Sequence, residues 1–191
     1  MKNSALQKTL ILILMAAAIA VAVYFGYINR NSSSSEEEIT VGEVEEILML
    51  DYEKHYPPTA RETVNNFFRI YKALYGENAT DEQILQMGAK LLELYDKDLA
   101  DFQFDYDNSL LQEVNRKKTD GYTVSTYHVQ SASETITKRV EGRQVTYVEC
   151  MVTMRKGSKL YANNYLFVLR LEEETGRWKI YGWTVTSDDD E

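Results

Sequence analysis

Cysteine occurs once in this 191-residue chain, and proline and histidine occur twice each. With Cys150 alone there is no intrachain disulfide to close, so whatever folds here must hold together by packing. Cys150 lies in an apolar strand pattern with no activating base marked near it, and it reads as a small buried hydrophobe. One cysteine with the scattered His55 and His128 does not make a zinc set. The stretch Asp105-Tyr106-Asp107-Asn108-Ser109 opens like a calcium loop. Leu110 then stands where such a loop needs glycine and Arg116 where it needs glutamate, so that reading fails too. There is no glycine-rich phosphate loop and no G-x-S-x-G elbow. No catalytic residue, metal or cofactor is assigned from these residues.

Charge is missing from one whole stretch, Leu10 to Ile28. These 19 residues rise about 1.5 Å each in a helix, roughly enough to cross a hydrocarbon core of about 30 Å. The run reads as a transmembrane helix. Tyr24 and Tyr27 fall near its far end, where amphipathic rings favour the headgroup level. Lys2 and Lys8 precede it, and Arg30 is followed by Glu36, Glu37 and Glu38 after it. The positive-inside bias then places the short N-terminus, residues 1–9, in the cytoplasm and residues 30–191 outside, as a single-pass signal-anchor protein of the cell membrane and cell envelope. A cleaved signal peptide is the competing reading, because Ala18, Ala20 and Ala22 offer small residues at a suitable spacing. Against it, the apolar run continues past Ala22 without a polar region.

Residues 29–39 are polar, serine-rich and then acidic, and read as a flexible tether. Residues 40–186 are expected to form one extracytoplasmic domain, and residues 187–191 an acidic tail. Lys2 and Lys8 are the only charged side chains before residue 30, so 30 acids face 19 bases in residues 30–191. That balance argues against nucleic acid as a partner and against close binding to anionic lipid headgroups, both of which need a basic face. Arg116-Lys117-Lys118 is the densest basic spot, with Lys138, Arg139 and Arg143 elsewhere, and it reads as a solvated face.

Within the domain, helices come first. Thr40 with Glu43 has capping-box spacing, and a first helix is expected to stop by Tyr56, ahead of Pro57 and Pro58. Thr59 with Glu62 opens a second helix, whose Val64, Phe67, Phe68, Tyr71, Leu74 and Tyr75 form an aromatic stripe. Thr80 with Gln83 opens a third, striped by Ile84, Met87, Leu91, Leu94 and Tyr95. Both stripes read as core. Leu110, Leu111 and Val114 permit a short fourth helix ending before Gly121. The pattern then turns β-like in four segments, Tyr122 to about Glu134, Val145 to Lys156, Leu160 to Leu171 and Trp178 to Thr186. The short joints carry Gly142, Gly157 and Gly176, which implies antiparallel neighbours. The fold class is therefore α+β, with N-terminal helices packed on a curved, four-stranded antiparallel sheet.

Helices followed by a meander ending in Leu171-Glu172, Gly176, Trp178-Lys179-Ile180 and Trp183 resemble the nuclear-transport-factor-2-like (NTF2-like, cystatin-like cone) superfamily over about residues 57 to 186. That resemblance implies a sheet wrapped into a cone around the helices, and a superfamily of isomerases, dehydratases, ligand binders and assembly modules. The opening Tyr56-Pro57-Pro58-Thr59-Ala60-Arg61-Glu62 behind a single anchor also resembles an uncharacterised family of small single-pass proteins from Gram-positive bacteria, a domain of unknown function.

Enzymes of the cone superfamily work with Asp, His and Tyr side chains inside the cone. No position here matches a catalytic motif of that superfamily; the candidate pocket is His128 on the first strand, on the face of Tyr122, Val124 and Thr126, together with Tyr147 and Tyr165. The reading that results is a non-catalytic module that binds an envelope protein partner or a small ligand and meets the lipid bilayer through residues 10–28. The alternative is an isomerase- or dehydratase-type enzyme in the cone. A dry, tyrosine-filled interior favours the first; an open pocket with a pKa-shifted His or carboxylate favours the second.

Overall fold

A computed structural model describes residues 41–76, 79–131 and 135–186. The spans read at 1–9, 10–28 and 29–39, Thr40 and the tail 187–191 lie outside the described residues. Among those described, no helix is long and apolar enough to cross a membrane. The described residues all belong to one compact unit.

Among the described residues, five helices precede five strands: α1 (Val41–Leu48), α2 (Ala60–Leu74), α3 (Asp81–Leu94), α4 (Lys97–Asp101), α5 (Tyr106–Thr119), β1 (Tyr122–Val129), β2 (Ile136–Val140), β3 (Arg143–Lys156), β4 (Lys159–Glu172) and β5 (Arg177–Thr186). The α+β class stands. Helix α1 is shorter than its apolar rhythm suggests, because the Asp51 carboxylate accepts from the backbone N–H groups of Glu53 (3.1 Å) and Lys54 (3.2 Å) and favours a turn there. Thr59 caps α2 through the Glu62 N–H, and Thr80 with Gln83 forms a complete capping box on α3. The fourth helix is not short: α5 runs 14 residues, and α4 precedes it unannounced.

The sheet has five strands instead of four, in the order β1-β3-β4-β5, with β2 also paired to β3. The segment read as one strand from Tyr122 to about Glu134 ends at Val129, and the chain returns to the same edge of β3 as β2. At the break the Gln130 backbone N–H donates to Glu149 O (2.9 Å), and its side-chain Oε1 accepts from the Glu149 N–H (3.0 Å). All pairings between these strands are antiparallel.

The core lies between α2, α3 and one face of the sheet. The stripes of both helices are buried there, with Phe67, Phe68 and Leu74 against Ile84, Met87, Leu91 and Leu94. On β3, Val148, Cys150, Val152 and Met154 face the helices, and Phe167 and Leu169 on β4 and Ile180 on β5 join them. Each such side chain removed from water contributes about 1.5–3 kcal/mol.

Candidate functional site

The helix-covered face is filled by rings. Phe167 lies 5.2 Å from Phe67, 5.4 Å from Phe68 and 5.5 Å from Trp183, centroid to centroid. Tyr127 stacks on Phe68 at 5.6 Å, Tyr165 meets Phe68 at 5.9 Å, and Tyr71 bridges Phe67 and Tyr75. The Tyr75 hydroxyl donates to Glu113 on α5 (3.0 Å). Burial pushes the Tyr71 and Tyr106 hydroxyls up to about 12, and Tyr75 and Tyr95 higher still. These phenols stay protonated, as hydrogen-bonding core residues.

The opposite face of the sheet carries a groove of about 420 Å³. Its floor is Val145 and Tyr147 on β3 with Val168 on β4, and its walls are Val140, Glu141 and Arg143 at the β2–β3 hairpin, Tyr181 on β5 and Asp98 on α4. Asp98 arrives because the chain leaving α3 bonds to the sheet edge, with the Asp96 N–H donating to Ile180 O at 2.7 Å. Arg170 holds this corner together. Its guanidinium bonds Asp98 (2.6 Å), lies 3.5 Å from Asp96 and sits 3.3 Å above the Tyr181 ring. Arg143 reaches Asp98 only at 4.0 Å and remains largely exposed, so it is the cation of the groove that an incoming group meets. After α4, the loop leaves Phe102 76% and Phe104 86% exposed, between Asp101 and Asp105. This arrangement suits recognition through apolar contact with a charged rim.

The four candidate pocket residues do not converge. His128 is exposed and pairs with Met151, on the face away from the helices. A β-bulge between Val124 and Thr126 is the cause: the extra residue inverts the alternation, so Tyr127 and Val129 point to the core where Thr126 and His128 were expected. Tyr122 lies at the far end of the sheet, with the ammonium groups of Lys117 (4.8 Å) and Lys156 (4.5 Å) on its ring. Tyr165 is packed within the ring cluster. Tyr147 alone lines the groove, beneath Lys138 at 6.0 Å. Phe102, Phe104, Arg143 and Arg170 match no site motif in the sequence. The signal for the first two was Asp101-Phe102-Gln103-Phe104-Asp105, two aromatics spaced against the helical period and set between acids; Arg170 on β4 carries none.

No curated protein matches the chain. Among solved structures, one chain titled "Crystal structure of intermembrane space region of chloroplast protein ARC6" aligns at 13% identity and a TM-score of 0.38, covering 73% of this chain and 98% of that one. Neither this neighbour nor the family match below supports the nuclear-transport-factor-2-like or the Gram-positive resemblance in particular. The family model described as "Domain of unknown function (DUF6715)" matches residues 1–183, and the chain is a member of that family.

Proposed function

We propose that this protein is a single-pass, membrane-anchored module, held by residues 10–28 with its folded domain outside the cytoplasm, that binds a protein partner at the cell envelope. The observation that carries the binding role is the exposed Phe102–Phe104 pair, which directly follows α4, the helix whose Asp98 walls the groove of Val140, Arg143, Tyr147 and Tyr181. Exposed apolar side chains of this size, rimmed by charge, favour a macromolecular surface over a small solute. The ring-filled helix side supports a non-catalytic reading, and no arrangement among the described residues favours the isomerase or dehydratase alternative. The uncharged run and its flanking charges support the anchor, and the tether gives the domain about 35 Å of reach.

The test uses the full chain in its native membrane, with a photo-crosslinking phenylalanine analogue at position 104. An adduct with another protein chain that disappears in the Arg143→Glu variant is the expected result, and no adduct at either Phe102 or Phe104 would end the binding proposal. Topology is read separately by introducing Glu174→Cys and treating intact cells with a membrane-impermeant maleimide. Labelling is expected before lysis; labelling only after lysis refutes the extracytoplasmic placement.

A further inference from the structure

Sequence segments about 40 residues apart place their cations at one end of the domain. Arg116, Lys117 and Lys118 occupy the last turn of α5, and Arg155, Lys156 and Lys159 surround the Gly157-Ser158 turn between β3 and β4. The Tyr122 ring joins the two groups, because Lys117 and Lys156 both lie over it. The helix dipole accounts for cations in the last turn of α5, but not for those of the hairpin.

Lys156 is the cross-strand partner of Lys159, a like-charge pairing that opposes folding unless an anion lies between them. Arg116, Lys117, Lys156 and Lys159 have no carboxylate partner among the described residues. Asp120 caps α5 just past these cations, and Asp81 on α3 lies near Lys118 and accepts from Asn115 Nδ2 (3.4 Å). At the tip, Leu160 is 61% and Tyr161 43% exposed. Cations around an aliphatic and a phenolic side chain are the composition that enters a headgroup layer, where tyrosine is also favoured.

We infer that this end of the domain, Lys117, Tyr122, Lys156, Lys159, Leu160 and Tyr161, docks on an anionic lipid surface. The inference rests on the anchored reading above, under which the tether keeps the domain within about 35 Å of a bilayer. An acidic domain can present a basic end, and lipid contact depends on the charge within a Debye length, about 10 Å at 0.1 M salt. The groove lies at the Arg143 end of β3, about 45 Å along a strand of this length from Lys156, so docking leaves it open to a partner.

The test reconstitutes the full chain, carrying Leu160→Cys with a spin label, into nanodiscs of phosphatidylcholine alone or mixed equally with phosphatidylglycerol. Cys150 is buried and does not compete for the label. In the anionic discs the label's access to a water-soluble relaxation agent is expected to fall several-fold, and to recover at about 1 M salt, where the Debye length is about 3 Å. The triple variant Lys117→Gln, Lys156→Gln, Lys159→Gln should lose this protection while keeping its melting temperature, and the matching lysine-to-arginine variant should retain it. A label that stays exposed in anionic discs, or is shielded equally in neutral ones, overturns the inference. Shielding in neutral discs on adding duplex DNA or polyphosphate, without shielding by anionic lipid, would assign the face to a soluble polyanion and overturn it equally. Failure to reconstitute into any disc refutes the anchor itself; reconstitution with an exposed label refutes the docking alone.

Discussion

At the residue scale, one ring and one imidazole carry opposite lessons. Phe167 is fully buried and touches Phe67, Phe68, Tyr165 and Trp183, so Phe167→Ala leaves a cavity that rigid aromatic neighbours cannot close. A loss of about 3–5 kcal/mol is expected in chemical denaturation. His128 is exposed on the other face, and His128→Ala should change stability by less than about 0.5 kcal/mol. Tyr127→Ala should cost several times more, since Tyr127 stacks on Phe68. The reverse ranking would mean that the bulge is absent. Strict alternation from Tyr122 put His128 on the core face. Whether a strand carries one extra residue is decided by its pairing partner, here β3, and no local residue type announces it.

At the element scale, turns and helix contacts are the exposed joints of the design. The β2–β3 hairpin closes Val140 on Arg143 through Glu141 at φ 50° and Gly142 at φ 82°, a two-residue turn with both central residues left-handed. Glutamate is a poor occupant there, because its Cβ crowds the following carbonyl at a cost of about 1–2 kcal/mol. Glu141→Asn should therefore stabilise the domain by roughly 0.5–1 kcal/mol, read as a higher denaturation midpoint. Gly88 does the opposite work inside α3, letting α5 approach. A Cβ there would stand 2.4 Å from Leu110 Cδ2 and 3.3 Å from Tyr106 Cε1, and the Tyr106 hydroxyl bonds Gly88 O at 3.3 Å. Leu110 can rotate away from a methyl group, but Gly88→Leu must displace the tyrosine ring as well. A loss of about 1–3 kcal/mol is expected, detectable as a lower melting temperature. The stripe of α3 was readable in sequence because it follows the helical period, whereas the closeness of α5 depends on a residue with no side chain to read.

At the scale of the whole molecule, burial sets an alkaline limit. The Cys150 thiol is pushed up to about 12 by burial, as are the Tyr71 and Tyr106 hydroxyls. All three are neutral when protonated. Above the unfolded-chain values, about 8.5 for cysteine and about 10 for tyrosine, the unfolded state gives up protons that the folded state keeps, so unfolding is favoured as pH rises. Stability should be flat with respect to these groups below about pH 8.5 and fall progressively toward pH 12. A melting temperature that holds constant between pH 9 and 11 would contradict the buried placement. The same burial makes Cys150 inert to maleimide in the folded protein and reactive on denaturation.

Period and punctuation alone determined much of this protein: the stripes of α2 and α3, the threonine starts at Thr59 and Thr80, the antiparallel order of the long strands and the burial of Cys150. These are properties of neighbours within one turn or one strand, and side-chain chemistry encodes them directly. Only the tertiary structure decided which way His128 faces, that β2 completes the edge beside β1, and that Asp98, Arg170 and Tyr181 meet at the groove. It also gathered Lys117, Lys156 and Lys159 into one basic end of an acidic chain. Register, bulges and the meeting of distant segments are set by pairing and packing across the whole fold, and composition averages over the local charge that such meetings create.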